Sequence, residues 1–484
     1  MQFFDETKKS APVSLGRVLV LGLGASGAAV GRYCARLLGS RVDSLTIAAG
    51  ADNDKARDVA RDLEQAGATV LFETYRFDGA FDVCIASPGI SENSEFYRAA
   101  ACCSEEVISE VEFAWRESAA DSTWIAITGT NGKTTTTALA AHILATNGRQ
   151  AKAVGNIGDT CIEAVASGQV DTYVAEVSSY QLASTRRFKP EVAVLLNITP
   201  DHLKWHGSLE AYASAKRKVY ANCDGSCAVV MDTTNEMVRS FVREAREQGA
   251  FPYVPLGCAR GLDSSMREAC GSENAAYLDG GRLVVEWKGA RHDLVDERDL
   301  MIKGEHNAAN ALAAASVAVA LGIDDDGIRR ALILFAPLEH RIEPCGSVAG
   351  VACYNDSKAT NVDATLKALA AFDPDRPIVL LGGDDKGTDL SELVDAARAH
   401  CKAVVCFGAS RDRFLAAFEC ADDLAVFGAL HLRDALEVAL DQARSGDIVV
   451  LSPACASFDE FSCFEERGET FKALVAQERS KRGA

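Results

Sequence analysis

The segment from Ile125 to Thr135 contains residue types and spacing that could bind phosphate, and it reads Ile-Ala-Ile-Thr-Gly-Thr-Asn-Gly-Lys-Thr-Thr. An apolar strand pattern leads into a glycine turn, and the residues after the turn favour a helix. The two glycines let backbone N–H groups converge on phosphate oxygens, and the start of a helix adds about half a positive charge. Lys133 can reach the terminal phosphates of a nucleotide, while a threonine hydroxyl can ligate Mg²⁺. Ile127 stands where the usual loop has its first glycine, so the loop is a shorter variant. Because the strand, the Gly-Lys-Thr segment and the helix come in the expected order, we predict an ATP-binding loop rather than a purely structural turn.

A second glycine turn, Gly22-Leu-Gly-Ala-Ser-Gly27, also follows a strand pattern and precedes a helix pattern. This spacing matches the fingerprint of dinucleotide-binding turns. A nicotinamide site also needs an acidic residue about 20 residues further on, at the end of the second strand. The chain reads Leu45-Thr-Ile-Ala-Ala-Gly50 there, and its acids come later, at Asp52 and Asp54. The turn therefore indicates a diphosphate site that suits a nucleotide sugar and gives NAD little support, with structural packing alone as the alternative.

Acidic and histidine side chains follow two further strand patterns. Glu176 lies at the turn that ends one of them, and Asp201 and His202 follow the next. A carboxylate at the tip of a strand beside a phosphate loop is where Mg²⁺ needs an oxygen ligand. A lone histidine is more often structural, but His202 belongs to the same set of turns. We therefore predict a metal site near the phosphate loop.

Lys216 lies on an unexpected face of a predicted helix that runs from Leu209 to Asn222. At about 100° per residue, Tyr212, Val219 and other apolar side chains of this helix fall within about 60° of Lys216. An ammonium group in an apolar stripe is costly unless it is paired. The lysine can extend to the rim or pair with a buried carboxylate. Alternatively, its pKa is depressed and the neutral amine is available for chemistry.

These candidates need a scaffold that brings strand ends together, and the rest of the chain predicts one. Short β-rich apolar runs alternate with helical patterns, which is typical of α/β folds with parallel sheets and crossover helices. In such sheets, ligands bind at the carboxyl ends of the strands. Strands are predicted at 18–22, 83–87, 124–128, 172–177, 192–197, 378–382, 403–407 and 447–452, with an antiparallel hairpin at 277–287.

The composition fits a folded multidomain protein and narrows its partners. At about 150 residues per domain, 484 residues suggest about three domains. The 69 acidic and 50 basic side chains give a net charge of −19, which argues against nucleic acid or an anionic membrane as the main partner. The 16 cysteines are scattered without CxxC spacing, which favours free thiols in a reducing compartment. We find no stretch suited to a membrane span and expect a cytoplasmic protein.

The ordered motifs make the chain similar to the Mur ligase family, from the first glycine turn almost to the carboxyl terminus. Marks shared across that family are Thr128-Gly-Thr-Asn-Gly-Lys-Thr134, Glu176, Asn197, Asp201-His202, Glu305-His-Asn-Ala-Ala-Asn310 and His340-Arg341. Motifs that resemble its D-glutamate-adding branch are Ser87-Pro-Gly-Ile90, Gly155-Asn-Ile-Gly158, Asn355-Asp-Ser-Lys-Ala-Thr-Asn361, Gly382-Gly-Asp-Asp-Lys-Gly387 and Ser452-Pro-Ala-Cys-Ala-Ser-Phe-Asp459.

The resemblance implies an α/β fold of three domains. These are a Rossmann-like domain for a UDP-sugar at 1–112, a central P-loop ATPase-type domain at 113–338, and a Rossmann-like domain for the amino acid at 339–484. It also implies ATP-dependent addition of D-glutamate to UDP-N-acetylmuramoyl-L-alanine in peptidoglycan precursor synthesis. The sugar-linked carboxylate takes the γ-phosphoryl group of ATP, and the amine of D-glutamate attacks the acyl phosphate. Two Mg²⁺ ions and a monomeric enzyme belong to the same expectation.

The resemblance also assigns roles to individual positions. The implied catalytic residues are Lys133, Glu176, His202 and Lys216. The implied metal ligands are Thr134, Glu176, His202 and Lys216, the last carbamylated to N6-carboxylysine. The implied ATP residues are Gly129, Thr130, Asn131, Gly132, Lys133, Thr134 and Thr135, then Asn307 and Asn310 at the adenine, and Arg341, Asp356 and Lys358, which depend on domain closure. The implied UDP-sugar residues are Gly24, Ala25, Ser26, Ser87, Gly89 and Asn156. The implied D-glutamate residues are Thr360, Lys386, Ser457 and Phe464, with Lys386 pairing with a substrate carboxylate.

Two positions depart from the family pattern, and three other functions stay open. Lys204-Trp205 replaces an Asp-Arg-like pair, which puts the contacts of that loop in question, and the turn after Leu45 lacks the acid seen in some relatives. One alternative is another amide ligase of the superfamily, such as a diaminopimelate- or lysine-adding Mur ligase or folylpolyglutamate synthase. The others are a dinucleotide-dependent oxidoreductase and a regulator that binds ATP without turnover. The missing Asp-Asn-Pro-Arg segment and the member-specific motifs favour D-glutamate.

Overall fold

A computed structural model describes residues 3–50, 52–257, 270–302, 304–385 and 387–483 of the chain. It divides into two compact units. Unit 1 comprises Met1–Leu300 and Ala308–Leu334, and unit 2 comprises Met301–Asn307 and Phe335–Ala484. Within the described ranges, unit 1 holds two sheets and unit 2 holds one. The predicted bounds of three domains stay a prediction.

The amino-terminal part of unit 1 is a parallel sheet in the order β3-β2-β1-β4-β5. Its strands are β1 (Gly16–Leu21), β2 (Val42–Gly50), β3 (Thr69–Phe72), β4 (Val83–Ala86) and β5 (Val107–Ser109). Its helices are α1 (Ala25–Ala35), α2 (Asp54–Gln65), α3 (Glu95–Cys103) and α4 (Glu110–Glu117). Side-chain caps begin three of these helices, since Asn53, Ser94 and Ser109 each accept a backbone N–H of the first turn.

The second sheet of unit 1 has the order β14-β13-β12-β11-β10-β9-β6-β8-β7 and is parallel from β7 to β12. Its strands are β6 (Thr123–Thr128), β7 (Ala151–Gly155), β8 (Thr172–Glu176), β9 (Val192–Leu195), β10 (Ala228–Asp232), β11 (Tyr253–Gly257), β12 (Ala275–Asp279), β13 (Arg282–Trp287) and β14 (Ala290–Asp296). The helices are α5 (Lys133–Thr146), α6 (Cys161–Ser167), α7 (Ser179–Ala183), α8 (Leu203–His206), α9 (Leu209–Arg217), α10 (Glu236–Gln248), α11 (Glu305–Ala320) and α12 (Asp325–Leu334), with 3-10 turns at Lys218–Tyr220 and Glu297–Asp299.

Unit 2 contains a sheet in the order β15-β16-β20-β17-β18-β19, parallel except for the β15–β16 hairpin. Its strands are β15 (Glu343–Val348), β16 (Val351–Asn355), β17 (Ile378–Gly382), β18 (Ala403–Phe407), β19 (Ala425–Gly428) and β20 (Ile448–Leu451). Its helices are α13 (Val362–Ala370), α14 (Ser391–His400), α15 (Arg411–Ala417), α16 (Leu432–Gln442) and α17 (Phe464–Arg482). Within the described ranges, no helix combines the length and apolar character needed to cross a bilayer.

The α/β fold class is confirmed, and the predicted strands all lie within two residues of observed ones. The reason is burial on both faces: β6, β8 and β17 are almost entirely buried, which makes their sequences continuous apolar runs. The antiparallel hairpin is confirmed as β12 and β13. One prediction was wrong in extent, because α9 ends at Arg217 and a 3-10 turn follows it. Beyond that turn the Asn222 amide donates to the carbonyls of Arg186 and Phe188, so tertiary contacts replace helical ones.

Candidate active site

The phosphate loop joins β6 to α5, where β6 lies between β8 and β9. The Asn131 N–H donates to the Asn197 Oδ1 atom at 2.8 Å, and the Asn197 amide returns a bond to the Asn131 carbonyl at 3.1 Å. The Thr130 N–H donates to the Asn197 carbonyl at 2.7 Å. Asn197 follows β9, so a neighbouring strand end holds this loop in place. The sequence analysis included Asn197 among the family motifs without assigning it this role.

Gly132 is the N-cap residue of α5 and has φ of +84°, in the left-handed region that favours glycine. A Cβ atom there would lie only 2.4 Å from the Asn310 Oδ1 atom. The same oxygen accepts the Thr136 hydroxyl at 3.2 Å, so buried Asn310 braces the first turn of α5. The Lys133 ammonium donates to the Thr130 carbonyl at 2.8 Å and lies against the loop. The adenine role of Asn310 stays a prediction, because its side-chain oxygen faces the phosphate loop here.

Glu176 ends β8, in register with Ile127 on one side and Gly155 on the other. It is buried, and its Oε1 atom accepts the Asn156 amide at 2.9 Å. Its Oε2 atom is buried without a hydrogen-bond partner among the described residues. A buried carboxylate oxygen is costly unless something pairs with it. One fixed and one open oxygen beside a phosphate loop fit a hard divalent cation. Asn156, predicted to line the UDP-sugar path, orients this carboxylate.

Lys216 is 1% exposed, so its side chain stays within the apolar stripe and does not extend to the rim, which the sequence had left open. Its ammonium donates to the Gly129 carbonyl at 2.7 Å and lies 4.7 Å from the centre of the Tyr212 ring. Burial lowers the pKa of Lys216 well below its usual value, and the nearby Lys133 cation lowers it further. The negative charges of Asp201 and Glu176 act in the opposite direction but do not prevail. Lys216 is therefore a neutral-amine candidate in direct contact with the phosphate loop.

His202 is the N-cap residue of α8 and has φ of +53°, a left-handed conformation that is uncommon for a residue with a side chain. Its N–H donates to the Asp201 Oδ1 atom at 2.8 Å, and its ring centre lies 4.9 Å from that of Tyr180. Trp205, at one of the two positions that depart from the family, packs on Tyr180 and His206 with ring centres at 4.7 and 4.4 Å. The aromatic cluster thus supports the loop that carries Asp201 and His202.

The amino-terminal glycine turn lies at the carboxyl end of β1, where Gly24, Ala25 and Ser26 begin α1. A Cβ atom on Gly27 would lie 1.9 Å from the Gly22 carbonyl oxygen, so the tight turn requires glycine. Ser87 and Gly89 follow the adjacent strand β4. The Ser87 hydroxyl oxygen is buried without a hydrogen-bond partner among the described residues.

The segment after Leu45 belongs to strand β2 and carries no acidic side chain up to Gly50. The strand continues to Gly50, and Asp52 follows two residues later, where it forms an ion pair with Arg57. The Arg57 guanidinium also lies over the Phe72 ring at 5.2 Å.

Unit 2 presents a second group of predicted residues after its neighbouring parallel strands β16 and β20. Asp356 is buried, and its Oδ2 atom accepts the Ser452 hydroxyl at 2.8 Å. Burial raises the pKa of Asp356 to about 7, although Ser452 and Arg341 act in the opposite direction. The Lys358 ammonium lies 4.6 Å from the centre of the Phe464 ring. Thr360 follows on the same turn, and Lys386 lies outside the described residues.

Arg467 is a residue that the sequence analysis missed. It is 1% exposed on α17, and its guanidinium donates to the carbonyls of Ser357, Cys455 and Ala456 and to the Ser357 hydroxyl at 2.8–3.1 Å. Burial lowers its pKa to about 10. Arg467 therefore fixes the turns that precede Ser457 and follow Asp356. Its signal was available, because Arg467, Phe471, Leu474 and Val475 lie on one face of the helix.

The predicted residues fall into two groups by unit. The phosphate loop, Glu176, His202, Lys216, Asn310 and the glycine-turn residues belong to unit 1. Asn307, Arg341, Asp356, Lys358, Thr360, Ser457 and Phe464 belong to unit 2. Many of these residues follow the carboxyl ends of parallel strands, where ligands bind in α/β sheets, whereas Lys216, Asn307, Asn310 and Phe464 lie on helices. The individual binding roles remain predictions.

Comparison with known proteins adds independent evidence. Residues 127–318 match the family model of the Mur ligase middle domain, and residues 340–455 match that of the Mur ligase glutamate ligase domain. The UDP-N-acetylmuramoylalanine–D-glutamate ligase of Thermoanaerobacter sp. (strain X514) is 37% identical over 95% of this chain and 98% of its own. The ligase of the same name from Salinibacter ruber (strain DSM 13855 / M31) is 38% identical over 93% of this chain and 96% of its own.

Solved structures share the fold at low sequence identity. MurF from Acinetobacter baumannii is similar with a TM-score of 0.58 and 18% identity, covering 89% of this chain and 92% of its own. UDP-N-acetylmuramate–alanine ligase (MurC) from Thermotoga maritima is similar with a TM-score of 0.56 and 18% identity, covering 96% of this chain and 99% of its own. The family models, the full-length relatives and the fold agree. The chain therefore belongs to the Mur ligase family of ATP-dependent amide-bond-forming ligases.

Proposed function

We propose that this chain adds D-glutamate to UDP-N-acetylmuramoyl-L-alanine in peptidoglycan precursor synthesis, with ATP converted to ADP and phosphate. The names of the full-length relatives support the substrates. Two observations carry the chemistry: a buried Glu176 oxygen has no hydrogen-bond partner among the described residues, and a buried Lys216 amine contacts the phosphate loop. That combination suits the activation of a carboxylate by a nucleotide.

In the first step, a carboxylate oxygen of the UDP-sugar substrate attacks the γ-phosphorus of ATP. The bond from the γ-phosphorus to the β–γ bridging oxygen breaks, and ADP leaves with that electron pair. The product is an acyl phosphate, in which an inert carboxylate has gained a leaving group. The backbone N–H groups of the phosphate loop and of the first turn of α5 supply donors for the phosphates, and Lys133 supplies a cation.

Mg²⁺ is the metal that this donor set suits. Glu176, with one oxygen fixed by Asn156, and the Thr134 hydroxyl at the first turn of α5 would hold one ion, and His202 and a carbamylated Lys216 would serve a second. When bound, Mg²⁺ neutralises crowded phosphate charge. Carboxylate and hydroxyl oxygens are hard ligands, which fits this choice.

The lowered pKa of Lys216 supports carbamylation of its amine. CO₂ adds to a neutral amine, forming a nitrogen–carbon bond with loss of one proton, and the new group is a carboxylate. An ordinary lysine has roughly a thousandth of its amine neutral near pH 7, so burial that lowers the pKa raises the reactive fraction. The bond to the Gly129 carbonyl points the nitrogen at the phosphate loop.

In the second step, the amine of D-glutamate attacks the acyl carbon, and phosphate leaves from the tetrahedral intermediate with the bonding electrons. We assign D-glutamate binding to unit 2, through Thr360, Lys386, Ser457 and Phe464. Arg467 supports this assignment because it fixes the turn before buried Ser457 through the Cys455 and Ala456 carbonyls. The UDP-sugar is assigned to the glycine turn and Ser87, whose buried hydroxyl can donate to a ligand.

The test is phosphate release by the full chain with ATP, Mg²⁺ and UDP-N-acetylmuramoyl-L-alanine, with D- or L-glutamate added. We expect release that depends on D-glutamate and a product heavier by one glutamyl residue. Substrate labelled with ¹⁸O in its carboxylate should deliver one ¹⁸O atom to the released phosphate, since the acyl phosphate route demands it. Lys133→Ala should abolish release, whereas Lys152→Ala, at a half-exposed surface ion pair, should not. Turnover with unlabelled phosphate as the only phosphate product would exclude the acyl phosphate.

A further inference from the structure

Trp205 lies where turns of the two sheets of unit 1 meet. Its carbonyl accepts the Ser91 hydroxyl at 3.4 Å, and Ser91 belongs to the loop that follows β4 and begins with Ser87. Its ring packs on Tyr180 with 4.7 Å between ring centres, and Tyr180 lies in the helix after β8, the strand that Glu176 ends. Trp205 therefore bridges the loop assigned to the UDP-sugar and the turn assigned to the metal.

Further contacts hold these two loops side by side. The hydroxyl of Ser184, at the end of α7, donates to the Glu92 carboxylate at 3.3 Å. The same hydroxyl lies 3.3 Å from the phenolic oxygen of Tyr97, on α3. The loop after β4 is thus fixed against α7, and Trp205 lies in an ordered junction between the sheets.

Three polar atoms along this junction are buried without a hydrogen-bond partner among the described residues. They are the Ser87 hydroxyl oxygen, the Trp205 Nε1 atom and the Glu176 Oε2 atom. A buried polar group without a partner is costly, and native proteins rarely keep one unless a ligand, an ion or water completes it. The proposed function gives Ser87 to the UDP-sugar and Glu176 to Mg²⁺. The indole N–H of Trp205 still needs an acceptor.

The proposed reaction, on which this inference rests, requires one substrate to reach both sides of the junction. Its diphosphate is assigned to the glycine turn and Ser87, whereas its carboxylate has to reach the phosphate loop. The N-acetylmuramoyl group lies between these two ends of the molecule. A pyranose ring presents C–H faces that pack on aromatic rings, and its acetamido group presents a carbonyl acceptor. Trp205 is half-buried and offers both counterparts, a ring face and an N–H donor.

We infer that Trp205 is a binding residue for the N-acetylmuramoyl group of the UDP-sugar. Its indole ring packs on the sugar, and its N–H donates to the acetamido carbonyl, which supplies the acceptor that the free protein lacks. The ring of His206, 4.4 Å from that of Trp205 between centres, supports the indole. His206 is itself anchored, because its Nε2 atom lies 2.9 Å from the Ser179 hydroxyl oxygen. A rigid ring of this kind selects for the sugar rather than for the nucleotide.

Binding of UDP-N-acetylmuramoyl-L-alanine and of UDP to the full chain separates these two parts of the ligand. Both affinities are measured by calorimetry for the parent and for two variants. Trp205→Phe keeps an aromatic ring and removes the N–H, so affinity for the UDP-sugar should fall by about threefold to tenfold. Trp205→Ala also removes the packing surface, so the fall should be about 30-fold or more. Affinity for UDP should stay close to that of the parent in both variants, because UDP lacks the sugar.

Steady-state phosphate release gives a second readout. The KM for the UDP-sugar should rise in both variants far more than kcat falls, and the KM for ATP should stay near that of the parent. A merely structural Trp205 would instead disturb the loop that carries His202, which would lower kcat and raise the KM for ATP as well. Trp287→Phe is the matched control, since Trp287 is a half-buried tryptophan on β13, and it should change none of these quantities.

Two results would overturn the inference. One is an affinity for the UDP-sugar that both variants share with the parent. The other is a loss of affinity for UDP as large as that for the UDP-sugar, because the side chain would then act on the fold and not on the sugar. If Trp205→Ala loses the UDP-sugar selectively but the parent releases no phosphate with D-glutamate, the sugar contact is supported and the proposed function is refuted.

Discussion

Replacing Lys216 gives the sharpest test of the chemistry, because one substitution removes only the amine and another removes the side-chain volume as well. Lys216→Met removes the amine while it keeps most of the buried side-chain volume. It leaves the Gly129 carbonyl without its 2.7 Å donor, which costs about 1–3 kcal/mol of unfolding free energy. It also removes the penalty for burying a basic group that is 1% exposed, so the net loss of stability should be small. Lys216→Ala additionally leaves a cavity, for which about 2–5 kcal/mol is expected.

Turnover should respond far more strongly than stability. If a carbamate on Lys216 supports a metal, both variants lose that carboxylate, and we expect kcat to fall by about 100-fold or more. A factor of 100 corresponds to about 2.7 kcal/mol in the activation free energy. Steady-state phosphate release measures kcat, and urea unfolding measures stability on the same samples. Arg217→Met, one residue along on the more exposed side of α9, is the matched control and should keep nearly full turnover.

Chemical rescue separates a lost carboxylate from a damaged fold. Formate or acetate fits the space opened by Lys216→Ala and can supply a carboxylate there, so part of the activity should return with millimolar acid. The same acids should not rescue Lys216→Met, because the methionine fills that space. Full activity of unsupplemented Lys216→Ala would refute the carbamate. Equal rescue of both variants would refute the buried location of the group.

Three further changes test other parts of the site. Glu176→Gln should lower kcat by about 100-fold and raise the Mg²⁺ concentration needed for half-maximal rate, because a neutral amide is a poorer ligand than a carboxylate. A Mg²⁺ titration of the rate measures both effects, and an unchanged titration curve would contradict the metal role. Gly132→Ala forces a Cβ atom to within 2.4 Å of Asn310 and should weaken ATP binding in calorimetry by at least about tenfold, whereas Gly148→Ala, at nearly the same φ but with nothing within 4 Å, should not. Burial raises the pKa of Asp356 to about 7 in the folded protein, above its value in the unfolded chain, so the contribution of Asp356 to stability falls as pH rises from about 4 to 7. Asp356→Asn should therefore reduce the loss of unfolding free energy between pH 5 and pH 8, as measured by urea titrations. The same loss in the variant and the parent would show that Asp356 is already ionised at pH 5.

Much of the fold could be predicted because the parallel strands are buried on both faces. Strands such as β6 and β17 read as apolar runs that end in glycine or polar turns, so their positions follow from local sequence. The end of α9 could not be predicted in this way. Its helical pattern continues past Arg217, but the Asn222 amide bonds to carbonyls about 35 positions earlier in the chain, and no local period encodes that contact.

Some features of the candidate site could likewise be predicted from the sequence, and others could not. The position of the phosphate loop between a strand and a helix, and the place of Lys216 in an apolar stripe, follow from residue types and from the helical period. The support of the loop by Asn197 does not, because it depends on which strand lies beside β6. Arg467 was missed for a different reason. Its position on the apolar face of α17 was readable from the helical period, but arginine side chains usually face solvent.

The sequence by itself determined the element types, the turns that carry chemistry and the face on which Lys216 lies, since these depend on neighbours within a few residues. Only the tertiary structure decided that Glu176 stands in register between Ile127 and Gly155, that Asn156 fixes one of its oxygens and that the other is left open. Strand order and register join positions far apart in the chain. They are set by the packing of the whole sheet, which local patterns do not record.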